Sequence, residues 1–155
     1  MIAVAALEVP TRYRPRSARD EALRFARTCY DHLAGQLGVA IADVLVAREH
    51  VVLGDDGGMV TDAGVKFLTG LGLDLTAPSA PKRDFCRPCL DWSERRYHIA
   101  GRLGTALLCR CTELGWLSRA RETRAVQLTD TGRAGLRATL GLDLPESERL
   151  RSLSG

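Results

Sequence analysis

Cys29 and His32 form a C-x-x-H in "CYDH", and Cys86 and Cys89 form a C-x-x-C in "FCRPCLD". Thiolate sulfur and imidazole nitrogen are the donors that Zn²⁺ takes in tetrahedral sites, so the two pairs supply a Cys₃His set if the fold joins them. Both pairs contain the same C-x-D pattern, Cys29-Tyr30-Asp31 and Cys89-Leu90-Asp91, which suggests that they are related and lie close together. The same thiolates suit arsenite, so the expected cofactor is Zn or arsenite. His98 stands at the repeat position of His32 and joins the candidates. The metal or effector set is therefore Cys29, His32, Cys86, Cys89 and His98. A structural reading stands beside it, because free cysteines often pack as small buried hydrophobes.

The remaining polar candidates also carry two readings each. His32 and His98 can bond backbone carbonyls where two repeats join, or act as a paired pH- or ligand-responsive element. Asp31 and Asp91 are expected to cap a helix or to pair with Arg95 or Arg96. "DWSERR" offers Trp92, Arg95 and Arg96 to nucleic acid, or it is a helix start capped by Ser93. Arg119, Arg121 and Arg124 crowd a turn, and three guanidiniums on a hairpin tip can lie along a phosphate backbone. Solvation alone would account for the same arginines. Cys111 falls on an apolar stripe and is expected in the core, while Cys109 lies off it as an exposed thiol. The sequence shows no nucleophile–base set, phosphate loop or H-E-x-x-H, so no enzymatic activity is expected.

What must position these residues is a duplication. "HLAGQLGVAIADVL" (32–45) returns as "HIAGRLGTALLCRC" (98–111), "VTDAG" (60–64) as "LTDTG" (128–132), and "LGLDL" occurs verbatim at 71–75 and 140–144. Leu33, Leu37, Ile41 and Leu45, like Ile99, Leu103, Leu107 and Cys111, recur at helical spacing. After each helix come short apolar strands around a turn, "HVVL"/"MVT" and "GWLS"/"AVQLT". Thr61 and Thr129 are placed to cap the next helix, which ends near Gly72 or Gly141. Ala34 with Gly38, and Ala100 with Gly104, make small-residue strips, which predict direct packing of the two repeat helices; the alternative is that each strip faces its own hairpin. A further helix, "SARDEALRFARTCY", is expected to precede the first repeat with Ser17 as its cap. The expected division is a basic lead-in (1–18), first repeat (19–75), linker with the cysteine pair (76–90), second repeat (91–144) and tail (145–155). Arg95 and Arg96 fall in an insertion that the first copy lacks.

The chain has 155 residues, is 45% hydrophobic and carries a net charge of +3, enough for a core but too mild a bias to announce a nucleic-acid binder. Five cysteines, with no secretory pattern in "MIAVAALE" and no apolar run of about 18 residues, predict reduced thiols, a cytoplasmic location and no membrane span.

The block "ELGWLSRARETRAVQLTDTG" is similar to the wing and closing helix of a winged-helix domain, but Gly104 to Trp116 leaves room for one helix only and no recognition helix. Together "ARTCYDHLAGQLGVAIAD", "FCRPCLDWSERRYHIAGRLG" and "VQLTDTGRAGLRATLGLDL" resemble the C-terminal half of bacterial transcriptional regulators of the ArsR type. That resemblance spans roughly residues 20–144. The repeats themselves predict an α+β fold of two winged-helix-like helix–β-hairpin–helix units about a pseudo-two-fold axis. The resemblance implies the effector-sensing or dimerisation part of a homodimeric regulator, with DNA reached through the wing or through an N-terminal domain absent from this chain. The alternative is a small metal- or metalloid-binding protein that uses Cys29, Cys86 and Cys89.

Overall fold

The computed structural model describes residues 17–75 and 85–144; the expected lead-in up to residue 16, the Pro/Ser linker and the tail lie outside the described residues. Ser17 accepts a hydrogen bond from the Asp20 N–H and opens α1 (Ala18–Phe25). The first half continues with β1 (Arg27–Cys29), β2 (His32–Ala34), α2 (Gly35–Ala47), β3 (Val51–Gly54), β4 (Gly57–Val60) and α3 (Asp62–Leu71). The second half contains β5 (Arg87–Leu90), β6 (Tyr97–Ala100), α4 (Gly101–Glu113), β7 (Leu117–Arg119), β8 (Val126–Leu128) and α5 (Asp130–Leu140). Among the described residues the architecture is α+β, five helices and four two-stranded antiparallel hairpins.

Thr61 and Thr129 cap α3 and α5 by accepting the N–H of Gly64 and Gly132, and both helices close on left-handed glycines, Gly72 and Gly141. The start of each half departs from expectation. The helix expected over 17–30 stops at Phe25, and the helices expected from His32 and His98 begin at Gly35 and Gly101. The displaced residues pair as hairpins, which satisfy their backbone groups across strands instead of along a helix. Gly35 and Gly101 make the corner from strand to helix with φ of 84° and 75°, a region that glycine enters without a Cβ penalty. The cysteine pair region also changes character: residues 87–90 are strand β5 of the second half, not linker.

Leu33, Leu37, Ile41 and Leu45 are buried, as are Ile99, Leu103 and Cys111, so the helical stripe does build the core; Leu107 is only partly buried. The glycine strips, however, do not bring helix onto helix. Helix α2 packs on β6 and α4 packs on β2. A Cβ on Gly38 would lie 3.6 Å from the His98 Cβ, and one on Gly104 would lie 2.9 Å from the His32 Cβ. Gly104 thus admits the hairpin of the other half, whereas the nearest obstacle to a Cβ at Gly38 is the Leu33 carbonyl of its own half, at 2.6 Å.

Further contacts run the same way. The Thr28 N–H donates to the Arg124 carbonyl at 2.9 Å and the Val126 N–H to the Ala26 carbonyl at 3.0 Å, joining β1 to β8, while β5 lies against β4. Arg48 donates to the Thr139 carbonyl at the end of α5, and Arg110 to the Leu71 carbonyl at the end of α3. Both guanidiniums serve carbonyls that a helix terminus leaves unpaired.

Two glycine-to-alanine changes should therefore act in opposite directions. A Cβ on Gly132 would run into the Trp116 carbonyl, whereas Gly70 in α3 has open space around it. Gly132→Ala should cost about 1–3 kcal/mol as overpacking, and Gly70→Ala should gain about 0.5–1 kcal/mol from helix propensity. Urea unfolding of both variants checks this, and similar midpoints for the two would contradict it.

Candidate functional site

In the first hairpin Cys29 stands directly opposite His32, and in the second Cys89 stands directly opposite His98. Residues opposed in an antiparallel pair project to the same face, so each hairpin presents one thiol and one imidazole together. Strands β2 and β6 pack side by side and turn the two faces toward each other. The donor atoms of Cys29, His32, Cys89 and His98 all lie within 4.8 Å of one another. The imidazoles meet through their Nε2 atoms at 3.0 Å, with ring centroids 4.9 Å apart. They bond each other rather than a backbone carbonyl.

The other side of each ring faces a carboxylate. Asp91 Oδ1 is 3.2 Å from His98 Nδ1, and Asp31 Oδ1 is 3.6 Å from His32 Nδ1; the buried His98 Nδ1 makes no hydrogen bond among the described residues. Burial, followed by the neighbouring His32, pushes the His98 imidazole down to about 4. Burial also lowers His32, against the pull of Asp31. Both rings are therefore neutral at physiological pH, the form in which histidine binds metals. Burial and then the Cys29 thiol raise Cys89. The two histidines are buried, and the two cysteines are half-buried toward the surface.

Cys86 is not part of this cluster. It is fully buried in the core, burial pushes its thiol up to about 11, and a Cβ on Gly58 of β4 would lie 3.0 Å from its sulfur. It immediately precedes β5 as the fully buried Ala26 immediately precedes β1, so it fills a packing position. The expected Cys₃His set thus gives way to two cysteines and two histidines. Cys111 is buried, with its thiol also up at about 11, and Cys109 is exposed, as their places on and off the stripe predict.

Asp91 is the centre of a network that the spacing of charges did not reveal. Its Oδ1 accepts from Arg27 Nη2 at 2.8 Å and from the Gly35 N–H at 2.8 Å. Its Oδ2 accepts from the Ser93 hydroxyl at 2.8 Å and from the Ser93 and Glu94 N–H groups. Arg27 and Asp91 are both buried. Burial raises the carboxyl, but the Gly35, Ser93 and Glu94 donors and the Arg27 guanidinium outweigh it and hold Asp91 below the usual carboxylate range. The expected pairing of Asp91 with Arg95 or Arg96 is not made; Arg96 pairs with Asp43 at the surface, 2.7 Å away. Nor does Ser93 cap a helix, because residues 91–96 form the loop between β5 and β6. Arg27 also lies 4.6 Å over the ring of Trp92, which is exposed together with Tyr30 and Leu90 around the hairpin ends. Arg119, Arg121 and Arg124 are exposed on the separate β7–β8 hairpin and take no part in the cluster.

Removing the Asp91 charge should be costly, since it leaves the Arg27 guanidinium buried without a counter-ion. Asp91→Asn is expected to cost about 3–5 kcal/mol. A carboxyl held low in the folded state contributes fully above its unfolded value of about 3.9, and the contribution is lost as pH falls below that value. Chemical unfolding of metal-free protein should show wild-type stability falling in acid below about pH 4 with a steeper component than in Asp91→Asn. Equal stability of the two proteins at neutral pH would contradict the role of this carboxylate.

No family model matches the chain, and no solved structure matches it. Over 122 residues it is 43% identical to an uncharacterized HTH-type transcriptional regulator, YdfF of Bacillus subtilis (strain 168). The match covers 79% of this chain and 54% of that protein. The chain thus spans about half the length of the curated relative it matches, and the similarity supports a relation to transcriptional regulators.

Proposed function

We propose that this chain is the effector-sensing and dimerisation part of a bacterial transcriptional regulator of the ArsR type, with DNA contacted through the β7–β8 hairpin. The observation that carries the reading is the 43% identity over 122 residues to an HTH-type regulator. The order hairpin–helix–hairpin–helix occurs in both halves, and each half's helix rests on the other's first hairpin; this supports two winged-helix-like repeats about a pseudo-two-fold axis. Only α4 lies between β6 and β7, so no recognition helix precedes the wing. The wing itself carries Arg119, Arg121 and Arg124, all exposed and none in an ion pair with another described residue. An effector would act at the seam where the two first hairpins meet. The role is regulatory rather than catalytic, in the cytoplasm and as a homodimer. Among the described residues no helix is long and apolar enough to cross a membrane.

The other reading, a metal- or metalloid-binding protein whose cysteines are its function, has the converging Cys29, His32, Cys89 and His98 in its favour. Metal content of the purified chain bears on that reading, and DNA affinity bears on the first.

DNA binding tests the wing directly. Each phosphate contact adds about 0.9 to the slope of log affinity against log salt. The triple variant Arg119→Ala, Arg121→Ala, Arg124→Ala should bind a labelled duplex more weakly and lower that slope by about 2–3. Anisotropy titrations across a salt series measure both quantities. Affinity without salt dependence, or unchanged in the variant, would overturn the wing contact.

A further inference from the structure

We propose that Cys29, His32, Cys89 and His98 bind one Zn²⁺ in a tetrahedral S₂N₂ site that links the first hairpin of one half to the first hairpin of the other. The site stands on geometry and does not depend on the regulatory reading. Its four donors come from two cross-strand pairs separated widely in the chain, Cys29↔His32 and Cys89↔His98, yet their donor atoms all lie within 4.8 Å. A tetrahedron with Zn–S of about 2.3 Å and Zn–N of about 2.0–2.1 Å has edges of roughly 3.3–3.8 Å, so the cluster needs side-chain adjustment of only about 1 Å.

The histidines are oriented for this. Carboxylates stand on the Nδ1 side of both rings, while both Nε2 atoms point at each other across 3.0 Å. A carboxylate behind a ligating imidazole is the usual support of a zinc histidine, because it fixes the tautomer and orientation. A cation between the Nε2 atoms would replace the hydrogen bond they now share. The half-buried sulfurs lie on the outer side, which gives an ion an approach from solvent.

The donor set also selects the ion. Two sulfurs and two nitrogens in a tetrahedral array suit Zn²⁺. Trivalent arsenic takes three thiolates, and the third candidate, Cys86, is buried in the core away from the cluster. Binding is balanced in charge: Zn²⁺ displaces one proton each from Cys29 and Cys89, the imidazoles bind as neutral ligands, and the filled site is neutral. Asp91 keeps Arg27 as its counter-ion throughout.

The test uses the full chain, reduced and stripped of metal, titrated with Co²⁺ as a spectroscopic stand-in. The expected result is one Co²⁺ per chain, with intense tetrahedral d–d bands and thiolate-to-cobalt charge transfer, both bleached by one equivalent of Zn²⁺. Cys29→Ser and Cys89→Ser should each weaken binding at least about 100-fold, while Cys109→Ser leaves it unchanged. An alkylation assay on wild type needs no variant to fold: one equivalent of Zn²⁺ should slow modification of Cys29 and Cys89 at least about tenfold and leave Cys109 unaffected. Absence of stoichiometric Co²⁺ and Zn²⁺ binding, retention of affinity in both serine variants, or equal alkylation with and without Zn²⁺ would each overturn the proposal.

Discussion

The buried carboxylate of Asp91 is the constraint from which the arrangement of the two halves follows. An ionised carboxylate without water must be matched by donors, or its desolvation would exceed any local gain. Asp91 receives them from three parts of the chain: Arg27 at the start of β1, the Gly35 N–H at the start of α2, and Ser93 and Glu94 in its own loop. Because Arg27 and Gly35 belong to the first half and the other partners to the second, satisfying one charge fixes the first hairpin against the second. The meeting of His32 with His98 is a consequence of that placement.

The interlock is reciprocal in its helices but not in its loops. Helix α2 rests on β6 and α4 on β2, with Gly104 removing a Cβ that would collide with His32, and each half's last helix has its end carbonyl bonded by an arginine of the other. The first hairpin turns tightly through Tyr30 and Asp31, so Asp31 stays exposed beside His32. The longer loop of the second hairpin folds Asp91 inward instead. The insertion in the second copy therefore carries a structural duty, and the exposed Tyr30, Leu90 and Trp92 mark the rim of the same seam.

Much of this was open to sequence reading. The threonine caps, the closing glycines Gly72 and Gly141 and the apolar stripe follow from local chemistry. Two features did not follow. "CYDH" extends a helical pattern from α1, and only the left-handed corner at Gly35, with its N–H held by Asp91, shows why the chain pairs as strands there. In the cysteine pair, spacing alone treats Cys86 and Cys89 alike; strand alternation and the equivalence of Cys86 with Ala26 send one sulfur to the core and the other to the seam. His98 was legible as the counterpart of His32, but the partnership of Arg27 with Asp91 depends on tertiary approach and leaves no periodic signal.

The central claim is that two cross-strand Cys–His pairs close on one point at the junction of the halves. X-ray absorption at the zinc edge of the chain loaded with one equivalent of Zn²⁺ tests it most directly. The account predicts two sulfur scatterers at about 2.3 Å and two imidazole nitrogens at about 2.0–2.1 Å. A shell with three sulfurs, which would return Cys86 to the site, or one dominated by oxygen, would contradict it.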